Sequence, residues 1–317
     1  MAVKQRRPRW VWILLAGLGL VSFDVFLASA TCGFALVRQE VQDPPGFDGV
    51  RPTNFLMIGN PGTGKSTVLN GLIQKPYFKS GMSFGGGMTY EFDRAEIGKH
   101  TFLDTPGLSD PTRRKQAAEA ITEALKQNGY YKIFFVITLQ NGRVRSEDVT
   151  TMKLVLDASP SNKYGVIINQ LNSREYEALH DPEGEARKSV LTALLGTMPV
   201  DKLSPYIHLV QHDDDLAGVD NMAKPLPDDL RDFILKTCPG IDIAEVEVAD
   251  IKASEYEALT SQMEEMLADS EKLKDALRSR EAELKDLTEE LKAANGNDPD
   301  QGFAFLSMAA LLTLLLL

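Results

Sequence analysis

The sequence predicts a three-layer α/β domain on a mostly parallel sheet, followed by a long C-terminal coiled-coil helix, with hydrophobic segments at both ends of the chain. Three observations carry this reading. Strand-like and helix-like segments alternate from Asn54 to Lys236, the pattern of a parallel sheet covered by helices on both faces. From Ala249 to Ala294 apolar residues recur at every seventh position. Both ends of the chain are apolar runs unlike anything between them. The expected organisation is an N-terminal hydrophobic anchor or signal peptide with its linker at 1–45, the α/β domain at 46–243, the coiled-coil helix at 244–295 and a hydrophobic tail at 296–317.

A chain of 317 residues with 43% hydrophobic and 25% charged side chains has an ordinary globular composition, which excludes a disordered protein. The net charge of -11 sets 34 basic against 45 acidic residues, and 15 acidic but only 7 basic side chains lie between Ala244 and Ala294. The acidity therefore belongs to the helical segment and argues against nucleic acid as a partner. Cys32 and Cys238 make no disulfide framework, and their spacing suits no metal site.

At the N-terminus Lys4, Arg6, Arg7 and Arg9 precede an apolar run from Trp10 to Ala30. The run is long enough to span a bilayer core of roughly 30 Å. Ala28-Ser29-Ala30 equally fits a secretory cleavage site after a basic start, and an Arg-rich organelle presequence is a third reading. The C-terminal stretch Gly302 to Leu317 is uninterrupted and apolar, preceded by the polar breaker Asn295-Gly296-Asn297-Asp298-Pro299-Asp300. It reads as a tail anchor, a lipid-anchor signal or a buried helix. Membrane association is the expectation, with the side of the membrane left open.

The α/β domain opens with Asn54-Phe55-Leu56-Met57-Ile58, a short apolar run that reads as a buried strand. Gly59-Asn60-Pro61-Gly62-Thr63-Gly64-Lys65-Ser66 follows, then Thr67-Val68-Leu69-Asn70-Gly71-Leu72-Ile73 as a helix. A glycine, four residues and Gly-Lys-Ser between a strand and a helix is a phosphate-binding loop. Its glycines let backbone N–H groups curl toward phosphate oxygens, and the helix N-terminus adds positive partial charge. Lys65 reaches the β- and γ-phosphates and the Ser66 hydroxyl ligates Mg²⁺.

The segment Lys99 to Asp104 alternates like a strand and ends in Asp104-Thr105-Pro106-Gly107, 39 residues after Lys65. This places Asp104 at the carboxyl edge of the sheet, where it joins the magnesium shell, and aims the Gly107 N–H at the γ-phosphate. Between them, Ser83-Phe84-Gly85-Gly86-Gly87-Met88-Thr89 reads as a mobile switch whose Thr89 hydroxyl reaches Mg²⁺ when the triphosphate is bound. A flexible loop leading into a strand is the alternative. Lys65, Thr89 and Gly107 are the candidate catalytic residues, and Ser66, Thr89 and Asp104 the candidate metal ligands.

These residues resemble the TRAFAC-type GTPases and, within them, the septin-like branch of avirulence-induced plant proteins and vertebrate immunity-associated nucleotide-binding proteins. The resemblance runs from about Pro52 to Lys236, and Asn141-Gly142-Arg143-Val144-Arg145-Ser146-Glu147-Asp148 looks like that branch's arginine box. The same box also reads as a helix start, with Ser146 as cap and Glu147 and Asp148 in the first turn. The resemblance implies GTP/GDP and Mg²⁺ as cofactors and a homodimer formed through the G domain or the coiled coil.

After the strand Tyr164 to Ile168 come Asn169-Gln170-Leu171-Asn172, where the family's guanine motif is Asn-Lys-x-Asp. Asn169 fits, but Asn172 offers guanine one carbonyl where an aspartate offers a charged bidentate acceptor. Gln170 stands in for the lysine that packs on the base, and His212, after the strand Tyr206 to Val210, is placed to stack on the base or bond it. Leu108 stands where Ras-like enzymes carry a water-orienting glutamine, so hydrolysis by the monomer is expected to be slow. Arg113, Arg114, Arg143 and Arg145 are candidates to supply positive charge within one chain or between two.

In the C-terminal segment one seam is Tyr256, Met263, Ser270, Leu277, Leu284, Leu291 and the other Leu259, Met266, Leu273, Arg280, Leu287, Ala294. Self-pairing is the expectation, with a single amphipathic helix folded back on the G domain as the alternative. The functional expectation is a membrane-associated GTP-binding protein, a slow or dimer-stimulated GTPase acting as switch or scaffold. A membrane-tethered coiled-coil protein with a static G domain, or an NTPase of relaxed base specificity, is the alternative.

Overall fold

A computed structural model describes residues 42–81, 93–159, 161–217, 219–243 and 247–294. The expected switch residue Thr89, the N-terminal apolar run and the C-terminal tail lie outside the described residues. No helix among the described residues is long and apolar enough to cross a membrane.

The sheet forms as the alternation predicts. Strands β1 (Asn54–Ile58), β3 (His100–Asp104), β4 (Tyr130–Gln140), β6 (Tyr164–Leu171) and β7 (Ile207–Gln211) are parallel, in the order β3-β1-β4-β6-β7. β2 (Asp93–Ile97) adds antiparallel to β3 at one edge, and the short β5 (Arg143–Val144) and β8 (Ile241–Asp242) pair antiparallel with β4. Parallel strands need helical crossovers, which cover both faces and make the central strands apolar throughout.

The two-residue period of the strands divides the core. Leu56 and Ile58 of β1, with Ile133, Phe135 and Ile137 of β4, face one layer. It contains helices α2 (Arg114–Leu125), α3 (Ser146–Ala158) and α5 (Glu185–Leu195). Phe55 and Met57, with Phe134 and Val136, face the other. There they meet α1 (Lys65–Ile73), α7 (Asp228–Asp232) and the π-helical turn Phe233–Thr237 that prolongs α7. The remaining helices are α4 (Ser173–His180), the short α6 (Asp214–Ala217) and the long α8 (Tyr256–Ala294).

Lys132 interrupts the apolar pattern of β4. It is buried, and its ammonium donates to the carbonyls of Ile234 at 3.1 Å, Leu235 at 2.7 Å and Cys238 at 2.8 Å. A helix end leaves carbonyls without partners, and this single cation satisfies three of them.

Helix α8 contains 39 residues and divides the sequence seam in two. Tyr256 and Met263 are buried in the core beside α3, with Leu259 packed against them. Further along, Met266, Leu273, Leu277 and Leu287 are exposed. The folded-back arrangement therefore holds for the proximal turns, because α3 already offers an apolar face there. Lys274 donates to Ser189 Oγ at 2.9 Å, which keeps α8 beside α5 to about that point.

Candidate nucleotide site

The phosphate loop is shaped by close approach. A side chain at Gly59 would collide with the Val136 carbonyl of β4, so the chain leaves β1 pressed against its neighbour. Gly62 and Gly64 have φ of +81° and +92°, a region that favours glycine, and Gly64 turns the chain into α1. No side chain caps this helix and its first turn holds no acid, so its N-terminal amides keep their positive partial charge.

Lys65 is 6% exposed, and its ammonium donates to the Asn60 carbonyl at 3.2 Å. Burial pushes its pKa down, and the carboxylates of Asp104 and Asp148 oppose that shift. Ser66 Oγ donates to Asp104 Oδ2 at 2.6 Å, which joins the first turn of α1 to the carboxyl end of β3. Thr105 Oγ1 donates to the Met57 carbonyl at 2.9 Å and fixes the turn after β3 against β1. A side chain at Gly107 would collide with Pro61, so that turn lies directly on the phosphate loop.

Behind the loop is a network that the sequence did not reveal. Asn60 Nδ2 donates to Asp148 Oδ1 at 2.8 Å, and Asn60 Oδ1 accepts from the Ser109 N–H at 3.2 Å and Thr151 Oγ1 at 3.1 Å. Arg145 grips Asp148 through Nε at 3.0 Å and Nη2 at 2.9 Å. Burial pushes the Asp148 carboxyl up, and Arg145 and Asn60 pull it back. Arg145, not Ser146, occupies the N-cap position of α3, so the helix-start reading of the box needs that correction. Its acids do sit in the first turn, but Asp148 faces the phosphate loop.

On the base side, Asn169 Nδ2 donates to the Thr63 carbonyl at 2.8 Å, and Gln170 Nε2 to the Gly62 carbonyl at 2.9 Å. Asn172 does something else. Its Oδ1 accepts from the Glu175 N–H at 2.9 Å while the Glu175 carboxylate accepts from the Asn172 N–H, a capping box that starts α4. An Asn three residues before a Glu is itself the signal for such a cap. The His212 ring is partly exposed, 3.4 Å from Asp214.

Asn169, Gln170 and His212 line a cleft of about 590 Å³ together with Gly62, Gly64, Lys65, Ser66, Thr67 and Gly107. Asn172 is not among its lining residues. Leu108, the residue after Gly107, is fully buried in the core, with its carbonyl accepting from Arg114 Nε at 3.0 Å. Arg114 and Arg145 are thus both committed within the chain.

Two hard oxygens 2.6 Å apart, a buried lysine and a glycine-lined loop of uncapped amides fit a magnesium nucleotide. When bound, Mg²⁺ supplies charge neutralisation at the phosphates. The chain's own contribution is to hold Lys65, Ser66 and Asp104 in place and to exclude a side chain at Gly107.

Residues 54–170 match the family described as 50S ribosome-binding GTPase. A comparison with curated proteins finds no match. Among solved structures, the chain is similar to Toc33 from Arabidopsis thaliana in complex with GDP and Mg²⁺, at 16% identity. That likeness covers 61% of this chain and 88% of that one, with a TM-score of 0.39. Era from Aquifex aeolicus, bound to GDP and AlF4⁻, is similar at 21% identity over 60% of this chain and 58% of its own, with a TM-score of 0.39. NFeoB from S. thermophilus, bound to GDP, AlF4⁻ and K⁺, is similar at 14% identity over 68% and 91%, with a TM-score of 0.32. Over residues 54–170 the chain thus matches a P-loop GTPase G domain, and the residues of its site fit GTP/GDP and Mg²⁺.

Proposed function

We propose that this protein is a membrane-associated GTP-binding switch or scaffold that hydrolyses GTP slowly as a monomer and pairs with a second copy of itself. The observation that carries the nucleotide reading is the 2.6 Å bond from Ser66 to Asp104 beside the buried Lys65. It sets a serine and an aspartate as adjacent hard ligands, next to a cation that has no apolar purpose at a helix start. The slow monomer follows from Leu108, whose side chain is enclosed in the core and presents nothing to a water molecule. Pairing is supported by the exposed leucines of the distal part of α8. Membrane association is supported by the apolar runs Trp10 to Ala30 and Gly302 to Leu317. The finer resemblance to the avirulence-induced and immunity-associated branch rests on the arginine box.

Equilibrium binding of fluorescent GDP and GTP to the full chain, purified in detergent, tests this. Mg²⁺-dependent binding that Lys65→Ala abolishes is the expected result. A folded wild-type chain that binds neither nucleotide overturns the reading in favour of a coiled-coil scaffold on a static G domain.

A further inference from the structure

The distal half of α8 carries an apolar stripe that its own domain leaves open. Leu273, Leu277 and Leu287 are 67%, 57% and 55% exposed. Lys274 donates to Ser189 Oγ at 2.9 Å and Arg278 Nη2 lies 3.9 Å from Glu185, so these two residues face α5. One residue along an α-helix turns the face by about 100°, so Leu273 and Leu277 point away from that contact. The helix can therefore stay docked on its own domain and still offer the stripe to a second chain.

One charge on the seam decides how two copies can meet. The distal seam runs Ser270, Leu273, Leu277, Arg280, Leu284, Leu287. Arg280 takes a place where the heptad calls for an apolar residue; its side chain is 74% exposed, and Nη1 donates to Glu283 at 2.9 Å. In a parallel pair in register each seam residue faces its own counterpart. That sets Arg280 against Arg280 and Ser270 against Ser270, so two layers lack any leucine and one holds two like charges. An antiparallel pair instead matches the two alternating seam positions with each other. Turned about a two-fold axis between Arg278 and Ser279, Leu277 meets Arg280 of the second copy, Leu273 meets Leu284, and Ser270 meets Leu287. The symmetry repeats each contact, so every layer contains a leucine and no seam charge meets its like. Arg280 lays its aliphatic stem on the facing Leu277 and keeps its guanidinium at the rim.

We propose that α8 pairs antiparallel with α8 of a second copy, centred between Arg278 and Ser279, and that Arg280 selects this orientation. This rests on the pairing reading above and names the geometry of the pair. The two Tyr256 ends then stand about 68 Å apart along the pair, at 1.5 Å per residue. Each G domain is docked on the first half of its own helix, so the pair spaces two G domains instead of bringing their nucleotide faces into register.

Pulsed electron resonance between spin labels tests the orientation without touching the seam. Ala282 and Glu289 are exposed and lie on the far side of α8 from the stripe. The full-length chain in detergent carries one label, at Ala282→Cys or at Glu289→Cys, in a Cys32→Ser background, and sedimentation reports whether each chain pairs. In the antiparallel pair the two labels are offset along the axis by about 10 Å at position 282 and about 32 Å at position 289, so the second distance is clearly the longer. Arg280→Leu added to the Glu289→Cys chain is expected to bring in a population of shorter distances, because a parallel pair no longer opposes two charges. Equal distances at the two positions mean a parallel pair and overturn the proposal while leaving the pairing standing. A dimer by sedimentation with no dipolar coupling at either position also overturns it, because the copies then meet elsewhere. Distances unchanged by Arg280→Leu remove Arg280 as the selecting residue. An unmodified chain that sediments as a monomer sinks the pairing reading itself.

Discussion

The guanidinium of Arg114 lies over the ring of Tyr256, 4.3 Å from its centroid, and also bonds Glu257 at 2.9 Å and the Leu108 carbonyl at 3.0 Å. One side chain thus ties the turn after Gly107 to the first turn of the long C-terminal helix. Tyr256 closes the contact from the other side, its hydroxyl 3.4 Å from the Glu147 carbonyl of α3.

Removing either partner is expected to loosen the start of α8. Tyr256→Ala empties a buried aromatic site and should cost about 3–5 kcal/mol. Arg114→Ala should cost about 1–3 kcal/mol through the lost stacking and hydrogen bonds. Arg114→Lys should recover little, because an ammonium does not replace a fork that stacks and donates at once. Urea denaturation reads the energies, and limited proteolysis ahead of Tyr256 reads the loosening.

Leu108→Gln, the change that would restore a water-orienting side chain, is expected to fail. Position 108 is enclosed in the core, so the amide is buried without partners at a cost of about 1–3 kcal/mol and never faces the γ-phosphate. Single-turnover GTP hydrolysis should be no faster than wild type. A tenfold acceleration would mean that the turn swings outward in the triphosphate state.

Lys132→Met keeps the length of the stem and removes the charge that satisfies three carbonyls. It is expected to destabilise the fold by about 2–4 kcal/mol, since buried acceptors are left unpaired. Chemical denaturation of the full chain checks this, and an unchanged midpoint would mean that water replaces the ammonium.

Asp148 gives a pH signature of definite sign. Burial raises its folded pKa above 3.8, so from there up to the raised value the folded state binds more protons than the unfolded one. Stability from this group is therefore full below the unfolded pKa and falls as pH rises through that window. Measured by urea titration from acid to neutral pH, wild type should lose stability relative to Asp148→Asn as pH increases. A difference independent of pH would place the carboxyl's folded pKa at its unfolded value.

The distal stripe of α8 should govern association without affecting the fold. Leu277 is 57% exposed, so Leu277→Glu should leave the melting of the G domain unchanged while shifting the chain toward monomer in analytical ultracentrifugation. The paired change Leu273→Glu and Leu277→Glu should complete that shift. If the double variant sediments as the wild type does, the stripe is not a pairing surface.

Much of the fold was legible because its signals are local. The buried run Asn54 to Ile58, the glycine loop and the helix behind it announce themselves within twenty residues, and the alternating strands give the parallel sheet its character. What escaped was long-range. Asn60 and Asp148 are 88 positions apart, and nothing at either site announces the other. Lys132 looks like a break in an apolar strand until the helix end that it satisfies is in place. The heptad seam of α8 has one periodicity, but Tyr256 and Met263 spend it on their own domain while Leu273 and Leu277 do not. Periodicity identifies an apolar face and says nothing about what covers it. Asn172 is the instructive case within the site: its place in a guanine-like motif and its place in a capping box compete for one carbonyl, and the helix takes it.

The commitment of Asn60 has a thermodynamic corollary. Its carbonyl, amide nitrogen and amide oxygen are all engaged by groups of the protein itself, namely Lys65, Asp148, Ser109 and Thr151. The phosphate loop is therefore organised by folding rather than by its ligand, and the ordering of this stretch is not charged against affinity. Calorimetry of the diphosphate should accordingly register a heat-capacity change no larger than the surface the nucleotide itself covers, with no added increment from a loop condensing around it.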